Sequence, residues 1–168
     1  MVRVAFTVAL LVAVAGVVVP ATAYAGVQRS DTAVRDAVER LVAESRALAD
    51  GNDALPSDAA PARRAVTLEL PEDGFASAPV AELSVGPPPA ERAGFESGRG
   101  TERSVVGPDA TQFRWRVASG TAHTAVVDGV RIRPRVGRTL SLSGGRTRLV
   151  LRLVAENGTA VVRARREG

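Results

Sequence analysis

Arginine is the residue type whose number and spacing could do chemistry in this chain. All 22 basic residues are Arg and none is Lys. Eight of them fall at alternating positions: Arg114 and Arg116, Arg131 and Arg133, Arg148 and Arg152, Arg163 and Arg165. A guanidinium stays charged at physiological pH and presents a planar fork of donors that matches carboxylate and phosphate. On β-strands, alternation would turn these side chains to one face, where they could grip an acidic protein, headgroup phosphates, an acidic glycan or another anionic polymer. The same pattern also describes an ordinary solvated sheet face, written with the one basic residue this chain uses. Nucleic acid is not an expected partner, because that face carries no aromatic platform for stacking bases.

Other reactive residue types are scarce. His123 is the only histidine, so a multi-histidine metal site is excluded, and its place in a Thr-Ala-His-Thr run on an expected strand suits a rim histidine. There are no cysteines, which removes disulfides, thiolate metal sites, thiol nucleophiles and lipid-modified cysteine. The acids Glu69, Glu72, Asp73 and Glu82 lie at expected strand ends and turns, with nothing to orient them as a pair. No GxSxG, Walker loop, GxGxxG in a βαβ setting or zinc-ligand spacing occurs. The expectation is a protein without catalytic residues, cofactor, metal or small-molecule substrate. Asn157-Gly158-Thr159 is a glycosylation sequon, although a hairpin turn explains the same Asn-Gly.

The elements that must position the arginines come from hydrophobic periodicity. From Gln112 onward, apolar and polar residues alternate. Phe113, Trp115 and Val117 oppose Arg114 and Arg116, and Leu149, Leu151 and Leu153 oppose Arg148 and Arg152. Val130, Ile132 and Pro134 alternate with Arg131, Arg133 and Arg135, while Val162 and Ala164 oppose Arg163 and Arg165. Ser119-Gly120, Asp128-Gly129, Gly144-Gly145 and Asn157-Gly158 supply turn chemistry between these runs. They predict an antiparallel meander of about six strands, preceded by shorter strands at 65–70 and 80–85. Gly86 to Asp109, opening Gly-Pro-Pro-Pro, reads as a flexible loop.

Upstream, Ser30-Asp31 is a candidate N-cap for an amphipathic helix. Val34, Val38, Leu41, Ser45 and Leu48 share one face of it, and Gly51-Asn52 closes it. Charge is uneven along the chain. Residues 26–60 carry four Arg against seven acids, residues 61–110 five against eight, and residues 111–168 twelve against three. The modest total of +4 therefore hides a basic final third.

The opening run decides location. Between Arg3 and Arg29 no residue is charged, and Val4 to Gln28 is mostly aliphatic. As a helix it would reach roughly 37 Å, enough to cross a hydrocarbon core of about 30 Å. Its ten large apolar residues between Val4 and Val19 favour insertion by roughly 3–6 kcal/mol. Ala23-Tyr24-Ala25 before Gly26 is also a signal-peptidase pattern, with Pro20 ending the apolar core. Both a retained anchor and a cleaved signal fit; the retained anchor is the favoured reading.

An apolar N-terminal helix with Pro20, running into a second helix over Ser30 to Asp50 and then hairpins, resembles type IV pilins and pseudopilins in architecture. The likeness does not extend to the processing site, since no basic-Gly junction precedes the apolar run. Locally, RRAVTLELP at Arg63 to Pro71, LSVGPPP at Leu83 to Pro89 and FRWRVASG at Phe113 to Gly120 are similar to a poorly characterised envelope family of halophilic archaea, found near pilus and secretion-type genes. Together these imply an α+β chain: residues 1–25 a transmembrane helix or signal peptide, 26–51 an amphipathic helix, 52–62 a linker, and 63–168 a small antiparallel β-meander domain with its loop at 86–109. The implied role is a non-enzymatic accessory subunit of a surface or secretion-type assembly. Such a subunit would sit in the cell membrane by a single N-terminal pass, with protein partners and its bulk outside the cytoplasm. Cleavage after Ala25 would instead give a secreted module that binds an anionic polymer or acidic protein through its arginine face.

Overall fold

The computed structural model describes residues 2–51, 62–74, 77–89, 109–156 and 158–167, with side chains from Tyr24 onward. One long helix leads the chain, α1 (Val2–Asp50). Over its second half the 3.6-residue period takes effect. Ser30, Val34, Val38, Leu41, Ser45 and Leu48 are all buried, whereas Arg35, Glu39, Arg40 and Arg46 face water. Arg35 pairs with Asp31 one turn back at 2.9 Å, and the Gly51 amide donates to the Ala47 carbonyl at 3.2 Å where the helix stops. Ser30 and Asp31 do not cap anything. The helix runs through them, and their side chains dock on the β structure instead.

Eight strands follow: β1 (Arg63–Leu70), β2 (Val80–Gly86), β3 (Thr111–Val117), β4 (Ala122–Val127), β5 (Ile132–Pro134), β6 (Leu140–Leu142), β7 (Gly145–Glu156) and β8 (Thr159–Arg166). They form two four-stranded sheets, β1-β7-β8-β5 and β4-β3-β2-β6. Strand structure therefore dominates, and the expected α+β layout with a single antiparallel meander is wrong. Two of the four expected hairpins do form, β3–β4 around Ser119-Gly120 and β7–β8 around Asn157-Gly158. Ser119 and Gly158 hold the positive φ angles there, 61° and 76°. The Asp128-Gly129 and Gly144-Gly145 turns instead carry the chain from one sheet to the other, and β5 lies parallel to β8. Turn chemistry fixes where a strand ends, not which strand it then meets.

Each sheet turns its apolar side inward. Leu149, Leu151, Val162, Ala164 and Ile132 line the first sheet, and Leu83, Val85, Phe113, Trp115 and Val117 the second. Helix α1 packs against β1, β7 and β8 of the first sheet and β3 of the second, so one core joins all three layers. Complete burial of side chains such as Leu41 or Phe113 contributes roughly 1.5–3 kcal/mol each. Arg64 at the start of β1 makes an ion pair with Glu44 on the helix.

The expected membrane-spanning run falls mostly on residues whose side chains lie outside the described set. Among the described residues no helix is long and apolar enough to cross a membrane. Most of the linker at 52–62, most of the loop at 86–109 and the sequon residue Asn157 also lie outside the described residues.

Candidate functional site

The eight expected anion-binding arginines do not share one face. Arg114 and Arg116 are exposed on β3 of the second sheet. Arg131 precedes β5 and pairs with Asp109 at 3.1 Å. Arg133, Arg148, Arg152, Arg163 and Arg165 belong to the first sheet. There the strand register does something that alternation within a strand cannot. Arg63 stands opposite Arg152, Arg152 opposite Arg163, and Arg163 opposite Arg133. Four guanidinium-bearing positions thus line up across all four strands, a row of about 14 Å at roughly 4.8 Å per strand. They point outward, because their inward neighbours Leu151, Val162 and Ile132 are buried. One step along, Arg165 stands opposite Val150, and the Arg135 amide donates to the Ala164 carbonyl at 3.0 Å, which brings Arg135 alongside.

Like charges directly opposite one another destabilise a sheet. Part of this row is relieved locally. The Arg163 guanidinium donates to Glu156 Oε1 at 2.6 Å and to the Pro134 carbonyl at 2.8 Å. Arg133 turns back to donate to the carbonyls of Ala110 at 3.2 Å and Ile132 at 2.9 Å. Burial, then the charges of Arg131 and Arg163, lower the Arg133 pKa, opposed by Glu156 and Asp109. Arg63, Arg135, Arg152 and Arg165 form no ion pair with any described carboxylate. The neighbouring Arg63 charge, above all, holds Arg152 below the ordinary arginine value, with smaller contributions from burial, Arg135 and Arg165. Arg148 is engaged at the far end of the sheet with Glu167 at 2.9 Å.

A second polar cluster sits between the helix and the second sheet. Asp31 Oδ1 accepts from Trp115 Nε1 at 2.7 Å and lies 3.2 Å from His123 Nε2, while Oδ2 accepts from Arg35 Nε at 2.9 Å. The Trp115 and His123 rings stack with centroids 5.3 Å apart, and the Arg35 guanidinium lies 5.8 Å from the Trp115 ring centre. Burial acts to raise the Asp31 pKa. The Trp115 and Arg35 hydrogen bonds and the nearby His123 and Arg35 charges outweigh it, leaving the carboxyl below the ordinary aspartate value. Thr121 Oγ1 also contacts His123 Nε2, at 3.2 Å. A nucleophile relay needs the hydroxyl and the carboxylate on opposite ring nitrogens. Here both meet the same nitrogen, so this is a docking cluster rather than a hydrolytic triad.

A cavity of about 550 Å³ opens beside the second sheet, with Arg114, Arg138, Gln112 and Ser84 among its lining and Pro87 to Pro89 along one wall. Glu69, Glu72, Asp73 and Glu82 are exposed, with Glu69 and Glu82 facing Arg146 and Arg116 across their ladders. Among the described residues no three His, Asp or Glu side chains are grouped to hold a metal ion.

Reading the sequence alone missed Arg63, whose membership depends on a partner strand far along the chain. It also missed Asp31, whose type suggested a cap. No signal in the sequence distinguishes a capping aspartate from one reaching a tryptophan on another element. A family model described as a domain of unknown function, DUF7311, matches residues 1–167. No curated protein and no solved structure matches the chain.

Proposed function

The chain belongs to the DUF7311 family, and we propose that it is a membrane-anchored envelope protein, without catalytic activity, that serves as a subunit of a surface assembly. The observation that carries this is the continuity of α1. Its opening part, Val4 to Gln28, bears no charge, and the same helix becomes the core of the two-sheet body without an intervening linker. Gly26 and Ser30 are already buried, and Ser30 Oγ accepts from the Ala78 amide at 3.0 Å. Tyr24, just before them, is exposed, a residue type favoured at the membrane–water boundary. A body mounted this way stands rigidly on its helix. Signal cleavage after Ala25 would cut α1 immediately beside the docked turn, which favours retention over secretion.

Support for partners comes from β4. It ends the second sheet as a strand without charge or proline, and no described strand pairs with its outer edge. The test is fractionation of cells making the full chain, with N-terminal sequencing of the product. Retention through an alkaline carbonate wash with the opening run intact is the expected result. A soluble product beginning at Gly26 overturns the anchored reading, as does a reporter fused after Ser30 that stays in the cytoplasm.

A further inference from the structure

The outer face of the first sheet gathers positive charge that the described carboxylates answer only in part. Arg63 and Arg152 face each other directly across the β1–β7 ladder, and Arg165 and Arg135 lie one row away on β8 and beside β5. Glu156 is taken by Arg163 and Glu167 by Arg148, so no described carboxylate pairs with these four. We propose that Arg63, Arg135, Arg152 and Arg165 form a binding surface for an acidic polysaccharide, an extended chain whose carboxylates repeat along its length.

The geometry selects that ligand class. The four positions sit on or beside four neighbouring strands, about 4.8 Å apart per strand, with Arg165 and Arg135 displaced one row along from Arg63 and Arg152, rather than gathered in a pocket. A compact anion would engage one or two of them; a linear polymer with roughly one charge per sugar ring can engage all four. Each guanidinium can take a carboxylate in a two-pronged contact. The outward side chains between the arginines, Ala65, Thr67, Val150 and Val154, include no aromatic ring on which a nucleobase could stack.

Height argues against lipid headgroups. Arg64, next to Arg63, pairs with Glu44, which lies about 27 Å up α1 from Gly26 at 1.5 Å per residue. That is well beyond a screening length of about 8–10 Å from a bilayer surface at Gly26. The preference for polymer over bilayer rests on the anchored reading; the binding surface itself does not.

The experiment uses the full chain in neutral detergent and end-labelled polygalacturonate, with binding followed by fluorescence anisotropy across a salt series. Wild type is expected to bind at low salt and weaken steeply as salt rises. Joint replacement of Arg63, Arg135, Arg152 and Arg165 by Gln should weaken binding at least tenfold. It should also flatten the log–log salt dependence by about two or more, as loss of several ion contacts does. A charge-matched control replacing Arg40, Arg114, Arg116 and Arg138 by Gln should keep most of the affinity. Should the fourfold variant melt well below wild type, single Arg152→Gln, with a several-fold loss expected, carries the test. No binding at low salt, or equal weakening in both fourfold variants, overturns the proposal. So does competition by anionic phospholipid vesicles as strong per charge as by the polymer. Because the chain is assayed in detergent, release from membranes would sink the anchored reading and leave this result standing.

Discussion

Asp31→Ala should unlock the helix from the second sheet at a cost that the contacts allow to be worked out. Asp31 Oδ1 accepts from the indole of Trp115, a residue only 6% exposed, at 2.7 Å. Removing a charged acceptor and leaving that N–H unpaired costs about 1.5–3 kcal/mol. The pair with Arg35 adds little, because Arg35 is half exposed and exposed i,i+4 pairs contribute about 0.3–0.5 kcal/mol. The total is about 2–3 kcal/mol, a fall in Tm of roughly 5–10 °C for a chain of this size. Asp31→Asn keeps an oxygen for the indole and should cost about 1 kcal/mol. The folded-state pKa of Asp31 is lowered, so its stabilisation is present above the unfolded aspartate value of about 3.9 and is lost as pH falls through the folded value. The gap between wild type and Asp31→Asn should therefore be full at neutral pH and close in strong acid. Thermal melts by circular dichroism at both pH values, combined with Trp115→Phe in a double-mutant cycle, measure this. A cost for Asp31→Ala below about 0.5 kcal/mol, or no coupling to Trp115, refutes the reasoning.

Ser45 is fully buried in the helix face, and its hydroxyl finds no hydrogen-bond partner among the described residues. Ser45→Ala should raise stability by about 1 kcal/mol, read as an increase in Tm; a fall would mean the hydroxyl is satisfied. Gly144 leaves no room for a side chain, since a Cβ there would come within 2.7 Å of the Pro71 carbonyl oxygen. Gly144→Ala should cost about 1–3 kcal/mol in denaturant unfolding, while Gly51→Ala, with its nearest atom at 3.0 Å, should cost less.

Periodicity made some of this architecture legible. The buried face from Val34 to Leu48 and the inward sets Phe113, Trp115, Val117 and Leu149, Leu151, Leu153 follow from spacing within one element. Pairing between elements does not. Alternation says that Arg152 points outward but not that Arg63 stands opposite it, because a strand's neighbour is chosen by long-range packing of the whole core. The turn residues imply a meander, yet two of the four turns carry the chain between sheets. The arginine row was visible only in halves for the same reason. In sequence Ser30 and Asp31 resemble a cap, because such side chains satisfy free amides at a helix start. In a helix that begins far upstream no such amides exist there, which freed both side chains for tertiary contacts.

The placement of β7 and β8 at the centre of the first sheet has a consequence for how the protein is made. Strand β1 leaves the ribosome early yet pairs with β7, and the sheet's middle is supplied only after every strand of the second sheet has been made. Until then the greasy stripe of α1 has half of its cover missing. The decisive step of folding therefore waits for β7 and β8, and truncations short of β8 should yield chains that aggregate rather than smaller stable domains.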